Sequence, residues 1–204
     1  MIVTLRSWLE ENPVLAAGVW IQIGLALFAL VASAFDKRQI LGLNPWVKPL
    51  KFDLSVLVLL VTIAGFLSGL QRFGAARPWI GGSIAVSLTL ENCLISMQAL
   101  RGVRSHMNYT TPVDAKIFMS MGLMAVVATV AIAVLLALVF LDLPSWPVAV
   151  TWGVRLGLLV FLLGCIEGVV MVSHGRHTVG AADGLQGVPL LNWSRRYGLS
   201  LIHI

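Results

Sequence analysis

Five apolar runs, each long enough to cross a bilayer, leave this chain few folds to choose from. A helix spanning the hydrocarbon core takes about 20 residues. Runs of about that length occupy residues 14–35, 52–70, 78–100, 117–141 and 148–172. The expected class is an all-α polytopic transmembrane bundle with five complete spans. Composition agrees, since 58% of the 204 residues are hydrophobic and 11% charged, against about 25% charged in a soluble domain. The connections are short and edged by Asn44-Pro45, Arg77-Pro78, Thr111-Pro112, Pro144 and Pro147, so none separates domains. Residues 1–204 read as a single membrane domain.

Basic residues set the orientation. Lys37, Arg38, Lys48, Lys51, Arg101, Arg104, Lys116, Arg176, Arg195 and Arg196 fall in alternate segments on one side, and Arg6, Arg72 and Arg77 on the other. The richer side is expected to be cytoplasmic, with the N-terminus outside. The seven tryptophans lie near span ends or in connections, as an interfacial belt requires. The net charge of +5 therefore reflects topology, and nucleic acid is set aside as a partner. The expected partner is the bilayer, with a small molecule, ion or lipid as ligand. Cys93 and Cys165 both fall inside apolar runs and suggest neither a disulfide framework nor a Cys-rich metal site. Residues 1–13 lack a basic start and carry Glu10 and Glu11, which does not fit a signal peptide. Residues 199–204 read as the start of a truncated sixth span or as an artefactual tail, since Ser200–Ile204 resembles translated adapter sequence.

Ionisable groups inside apolar runs are expensive and mark candidate sites. Glu91 lies near the middle of the third run, with Gln98 a heptad later on the same face. Glu167 lies in the fifth run, with His174 a heptad later. A partial repeat links the two regions: Ser105-His106-x-x-Tyr109-Thr110 followed by Asp114, and Ser173-His174-x-x-His177-Thr178 followed by Asp183. It suggests a partial internal two-helix repeat. Together Glu91, Gln98, His106, Glu167, His174, His177 and Asp183 would line a polar cleft open to the cytoplasm. Such groups serve a proton or ion path, a metal site or acid–base catalysis.

For metal, His174, His177 and Glu167 offer donors suited to zinc, but Gly175 and Gly180 interrupt the helix they would need. Haem would require histidines inside the spans, and these lie just beyond them. No cofactor is expected. The stretch from Asn44 to Asp53, with Pro45 and Pro49, reads as an extended lead-in anchored by Trp46 at the interface. Lys48 and Lys51, with Arg101 and Arg104, are candidate contacts for an anion or a lipid headgroup. In the fifth run Gly153, Gly157, Gly164 and Gly168 share one face, which allows close packing against another helix. Arg155 in the same run is expected to snorkel outward or to meet Asp142.

Trp46-Val47-Lys48-Pro49-x-Lys51-Phe52, Gln98-x-x-Arg101-Gly102-x-x-Ser105-His106 and Ser173-His174-x-x-His177-Thr178-Val179-Gly180 resemble a family of uncharacterised bacterial polytopic integral membrane proteins. The resemblance extends to about Tyr197 and implies the bacterial inner membrane as location, but it brings no activity. Three function classes follow from the residues. The first is a transporter- or channel-like protein with a cytoplasm-facing polar cleft. The second is a membrane enzyme with a His/Glu/Asp site acting on a lipid-like substrate, though no Gly-x-Ser-x-Gly or comparable nucleophile motif is present. The third is a non-catalytic scaffold or sensor.

Overall fold

The computed structural model describes residues 5–40, 43–142 and 144–173. Six α-helices follow in order: α1 (Leu5–Glu10), α2 (Pro13–Phe35), α3 (Val47–Ser68), α4 (Arg77–Arg101), α5 (Pro112–Leu141) and α6 (Val148–Ser173), with a short 3-10 turn at Gly74–Ala76 before α4. Among the described residues there is no strand, only an isolated antiparallel bridge between Ile40 and Leu43. Backbone polar groups in lipid must be satisfied within the span, which is why continuous apolar runs of this length fold as helices. The last five helices are each long and apolar enough to cross a membrane. The protein is an all-α polytopic bundle. By contact density the chain divides into two compact units, Met1–Leu162 and Leu163–Ile204. Helices α1 to α5 and the first half of α6 belong to the first.

Within that unit α4 is the central helix, packing against α2, α3 and α5. It is the least apolar of the five spans and the most buried. These two facts belong together, because polar side chains in a membrane protein are tolerated where other helices cover them. The outward faces are apolar instead: Leu27, Phe28, Val58, Leu123, Val130 and Val160 are all exposed. Close approach is arranged by small residues. A Cβ on Gly18 of α2 would come within 3.1 Å of Ala85 and 3.2 Å of Leu60. One on Gly81 of α4 would collide with the Asn12 side chain.

Local chemistry sets the helix ends. Asn12 caps α2 by accepting from the Leu15 amide at 3.1 Å, with Pro13 in the first turn. The same Asn12 donates through Nδ2 to the Arg77 carbonyl at 3.1 Å and so ties α2 to the start of α4. Arg77 in turn pairs with Glu11 at 2.7 Å and donates to the Leu70 carbonyl. Asp142 accepts the backbone amides of Gln71 and Arg72 at 2.7 and 3.2 Å, which fixes the end of α5 to the turn after α3.

Several boundaries and roles differ from the sequence reading. The lead-in from Asn44 to Asp53 is not extended. Helix α3 starts at Val47, with Pro49 in its first turn, where a missing N–H forfeits no helical bond. Trp46 is covered by the protein at 2% exposure; its Nε1 donates to Asp36 Oδ2 at 3.0 Å, and Phe28 packs edge-on against its ring. Helix α5 starts at Pro112, five residues before the apolar run, because Thr111 accepts from the Asp114 amide and caps it. Gly153 and Gly157 line no close helix contact: no described atom lies within 4 Å of a Cβ placed on either. Arg155 donates to the Val139 carbonyl at 3.0 Å and lies over the Phe140 and Trp152 rings.

Candidate functional site

The end of the bundle where α2 finishes, α3 begins, α4 finishes and α5 begins carries the polar chemistry. It is built in two adjoining parts. The first centres on His106, in the loop after α4. Its Nδ1 lies 3.0 Å from Lys48 Nζ and 3.1 Å from Ser105 Oγ, and its Nε2 lies 3.8 Å from Glu91 Oε1. An ammonium has no lone pair, so a charged Lys48 can only donate to Nδ1. That leaves the imidazole proton on Nε2, facing Glu91. The His106–Glu91 separation is longer than a hydrogen bond. Phe52 and Phe118 flank the imidazole, with centroids at 6.0 and 5.9 Å. Burial pushes the imidazole below its ordinary value near 6.5; the nearby Glu91 carboxylate pulls it back up, and the charge of Lys48 pushes it further down.

The second part is the Gln98–Arg101–Asp114 cluster. Arg101 Nη1 donates to Gln98 Oε1 at 2.5 Å and to Asp114 Oδ1 at 2.6 Å. Gln98 Nε2 donates to the same Asp114 oxygen at 3.2 Å, and Thr111 Oγ1 donates to Asp114 Oδ2 at 2.7 Å. This carboxylate is fully engaged and joins the last turn of α4 to the first of α5.

Deeper in the span, Asn92 Nδ2 donates to Gln22 Oε1 at 2.8 Å, and Gln22 Nε2 reaches Thr89 Oγ1 at 3.4 Å. Beside them lies Asp53, on α3, with no exposed surface. Among the described residues neither of its oxygens has a hydrogen-bond partner of normal geometry, although the Asn92 side chain lies close enough to act as a weak, long hydrogen-bond donor. Ser96 Oγ, one turn beyond Asn92, is likewise buried and unpartnered among the described residues. A buried carboxylate without a partner costs far more than a satisfied one. In hydrocarbon it is tolerated only with its charge neutralised, by a proton or a cation.

Of the seven candidate cleft residues, Glu91 and His106 come together in one part, and Gln98 lies in the other. Glu167 is a half-buried residue of α6 within the second unit. His174, His177 and Asp183, and with them the second copy of the repeat and most of the candidate metal set, lie outside the described residues. Among the described residues no three His, Cys, Asp or Glu side chains gather closely enough to share a metal ion. The four candidate cations separate: Lys48 turns inward to His106, Arg101 is held by Asp114 and Gln98, and Lys51 and Arg104 are exposed. Sequence reasoning missed Asp53 and Gln22. Asp53 was hidden by its position as the second residue of an apolar run, where a carboxylate reads as a span end. With α3 beginning at Val47 it is in the second turn. A scan against protein-family models and searches of curated proteins and of solved structures returned no match.

Proposed function

We propose that this is a transporter-like membrane protein that moves protons, or a cation in exchange for them, through the polar interior of its first four spans. The observation that carries the reading is Asp53, a carboxylate with no exposed surface and no hydrogen-bond partner among the described residues, on the helix that also bears Lys48. A group of this kind is costly to fold around and useful only if its charge state changes. Lys48, His106 and Glu91 supply what such a group needs, a chain of donors and acceptors leading from the loop after α4 toward the middle of the span. The imidazole is the natural relay, because it takes a proton on one nitrogen while releasing one from the other.

The distribution of Lys and Arg supports an orientation in which this end faces the cytoplasm and the N-terminus lies outside. The bacterial inner membrane is the location that fits. The polar cleft is then cytoplasm-facing, and Glu91 and Asp53 are the deeper stations.

The test is proton entry into vesicles. Purified full-length protein is reconstituted with a pH-sensitive dye trapped inside, and a potassium diffusion potential, negative inside, is imposed with an ionophore. Wild-type vesicles should acidify faster than protein-free ones, and Asp53→Asn should return the rate to that of the empty vesicles. Wild-type protein indistinguishable from empty vesicles, or Asp53→Asn indistinguishable from wild type, would overturn the reading.

A further inference from the structure

Beside the buried site, the same end of the bundle holds an open groove of about 450 Å³. It is bounded by Gln39 after α2, by Arg101 at the end of α4, by Arg104 and Thr110 in the loop that follows, and by Thr111 and Asp114 at the start of α5. We propose that this groove binds a phosphate-bearing anion, either the headgroup of an acidic phospholipid or a free phosphate group.

Charge is the first argument. Asp114 is the one carboxylate lining the groove, and its oxygens are already taken by Arg101, Gln98 and Thr111. Arg104 has no carboxylate within ion-pair distance among the described residues, and it is exposed. Two guanidinium groups against one carboxylate leave a surplus positive charge. Arg101 itself spends only Nη1 on Gln98 and Asp114. Its Nε and Nη2 make no bond among the described residues, and a guanidinium held at one corner presents the rest of its fork in a fixed direction. Planar forks of this kind suit phosphate oxygens.

Helix ends are the second argument. The electronegative carboxyl end of α4 would repel an anion, but Arg38 covers it by donating to the Leu100 and Ala99 carbonyls at 3.1 and 3.4 Å. The electropositive amino end of α5 opens on the groove at Thr111. The chain can turn there because Gly102 takes a left-handed conformation, φ 71°, with Arg38 Nη1 only 3.1 Å from where a Cβ would be. The loop beyond is held in shape by Asn108, which donates to the Arg104 carbonyl and accepts from the Thr110 amide and hydroxyl. A cationic groove at a helix-end level of a membrane protein is the kind of site that takes lipid headgroups. Positive charge serving orientation alone needs no covered helix end.

The experiment measures binding to the full-length protein in neutral detergent. Short-chain phosphatidylglycerol, short-chain phosphatidylcholine and inorganic phosphate are titrated separately, with Arg104→Ala and Lys51→Ala as variants. Lys51 is also exposed but does not line the groove. Phosphatidylglycerol should bind in preference to phosphatidylcholine, and Arg104→Ala should weaken it by on the order of tenfold, the loss of one charge-assisted contact, while Lys51→Ala leaves it unchanged. Phosphatidylglycerol binding without phosphate binding identifies a lipid headgroup as the ligand. Phosphate binding with the same dependence on Arg104 identifies a soluble phosphate. The proposal is overturned if neither anion binds, if Arg104→Ala has no effect, or if Lys51→Ala costs as much. A thermal unfolding midpoint for Arg104→Ala within a degree or two of wild type confirms that the fold is intact; if it falls, Arg104→Gln replaces it in the same titrations.

Discussion

Lys48 Nζ sits 3.0 Å from His106 Nδ1, joining the second residue of α3 to the loop that follows α4. The contact places a cation, an imidazole and, 3.8 Å beyond, the Glu91 carboxylate in sequence. A direct Lys48–Glu91 ion pair would be a static device. With the imidazole between them, the two charges communicate through a group that can exchange protons near neutral pH. The aromatic rings of Phe52 and Phe118 keep that group in surroundings where its neutral form is favoured.

This predicts a particular pH dependence of stability. Burial lowers the proton affinity of His106 in the folded protein relative to its ordinary value near 6.5. In the window between the folded and unfolded values, the unfolded chain holds the extra proton. Stability therefore rises with pH across that window, is fully present above about 6.5, and is lost as pH falls below it. Within the window the slope is up to about 1.4 kcal/mol per pH unit for this one proton. Denaturant unfolding of His106→Gln, measured beside wild type from pH 5 to 8, should be flatter by that amount. A variant curve parallel to wild type would show that His106 is not shielded in the fold.

Asp53 should trade stability against activity. Replacing the buried carboxyl by its neutral isostere removes the cost of burying its ionised form. It leaves a polar side chain equally short of partners, so the gain lies at the low end of about 1–3 kcal/mol. Asp53→Asn is thus expected to raise the thermal unfolding midpoint in detergent while abolishing proton entry into vesicles. A variant that loses both stability and activity would mean that Asp53 holds the fold together through a partner, and the trade would not exist.

The class of fold was legible because lipid imposes it: 20 apolar residues in a row have one solution. The polar interior was half legible. Glu91 and His106 were visible because one interrupts a span and the other follows it closely. Their partner Lys48 was read as a contact for an anion or a lipid headgroup, since nothing local says that it belongs to a first helical turn and faces His106. Asp53 and Gln22 lie where polar residues look like span ends or isolated accidents. Only the pairing of α2 and α3 with α4, through Gln22–Asn92 and the contact with Asp53, gives them company. Long-range packing of this kind leaves no periodic trace in the chain. The glycines of α6 show the converse, since Gly153 and Gly157 carry a strong packing pattern and meet no neighbour among the described residues.

The two kinds of glycine should separate in mutagenesis. A methyl group on Gly81 would strike the Asn12 side chain and crowd Leu67 and Leu15. Because Asn12 caps α2 and also holds the Arg77 carbonyl, it has little freedom to move away. Gly81→Ala is expected to cost about 1–3 kcal/mol, the usual penalty of overpacking. Gly153→Ala meets no neighbour among the described residues and should stabilise α6 by roughly 0.5–1 kcal/mol through backbone entropy. Thermal unfolding of the two variants decides the matter, and equal effects would contradict the packing described for Gly81.

Orientation can be read directly by labelling. Ser105 is a poor place for a probe, because it is buried against His106 at 7% exposure. Thr110 in the same loop is exposed, as is Ser145 in the connection between α5 and α6. The native thiols need removal first, since Cys93 is exposed on α4 and Cys165 is half-buried on α6. In a Cys93→Ser, Cys165→Ser background, Ser145→Cys should react with a membrane-impermeant maleimide in intact cells. Thr110→Cys should react only after the membrane is opened. The expectation rests on the excess of Lys and Arg at the His106 end, which retains that end in the cytoplasm during insertion. Labelling of Thr110→Cys in intact cells would invert the topology, and the Lys48–His106–Glu91 relay would then open to the outside.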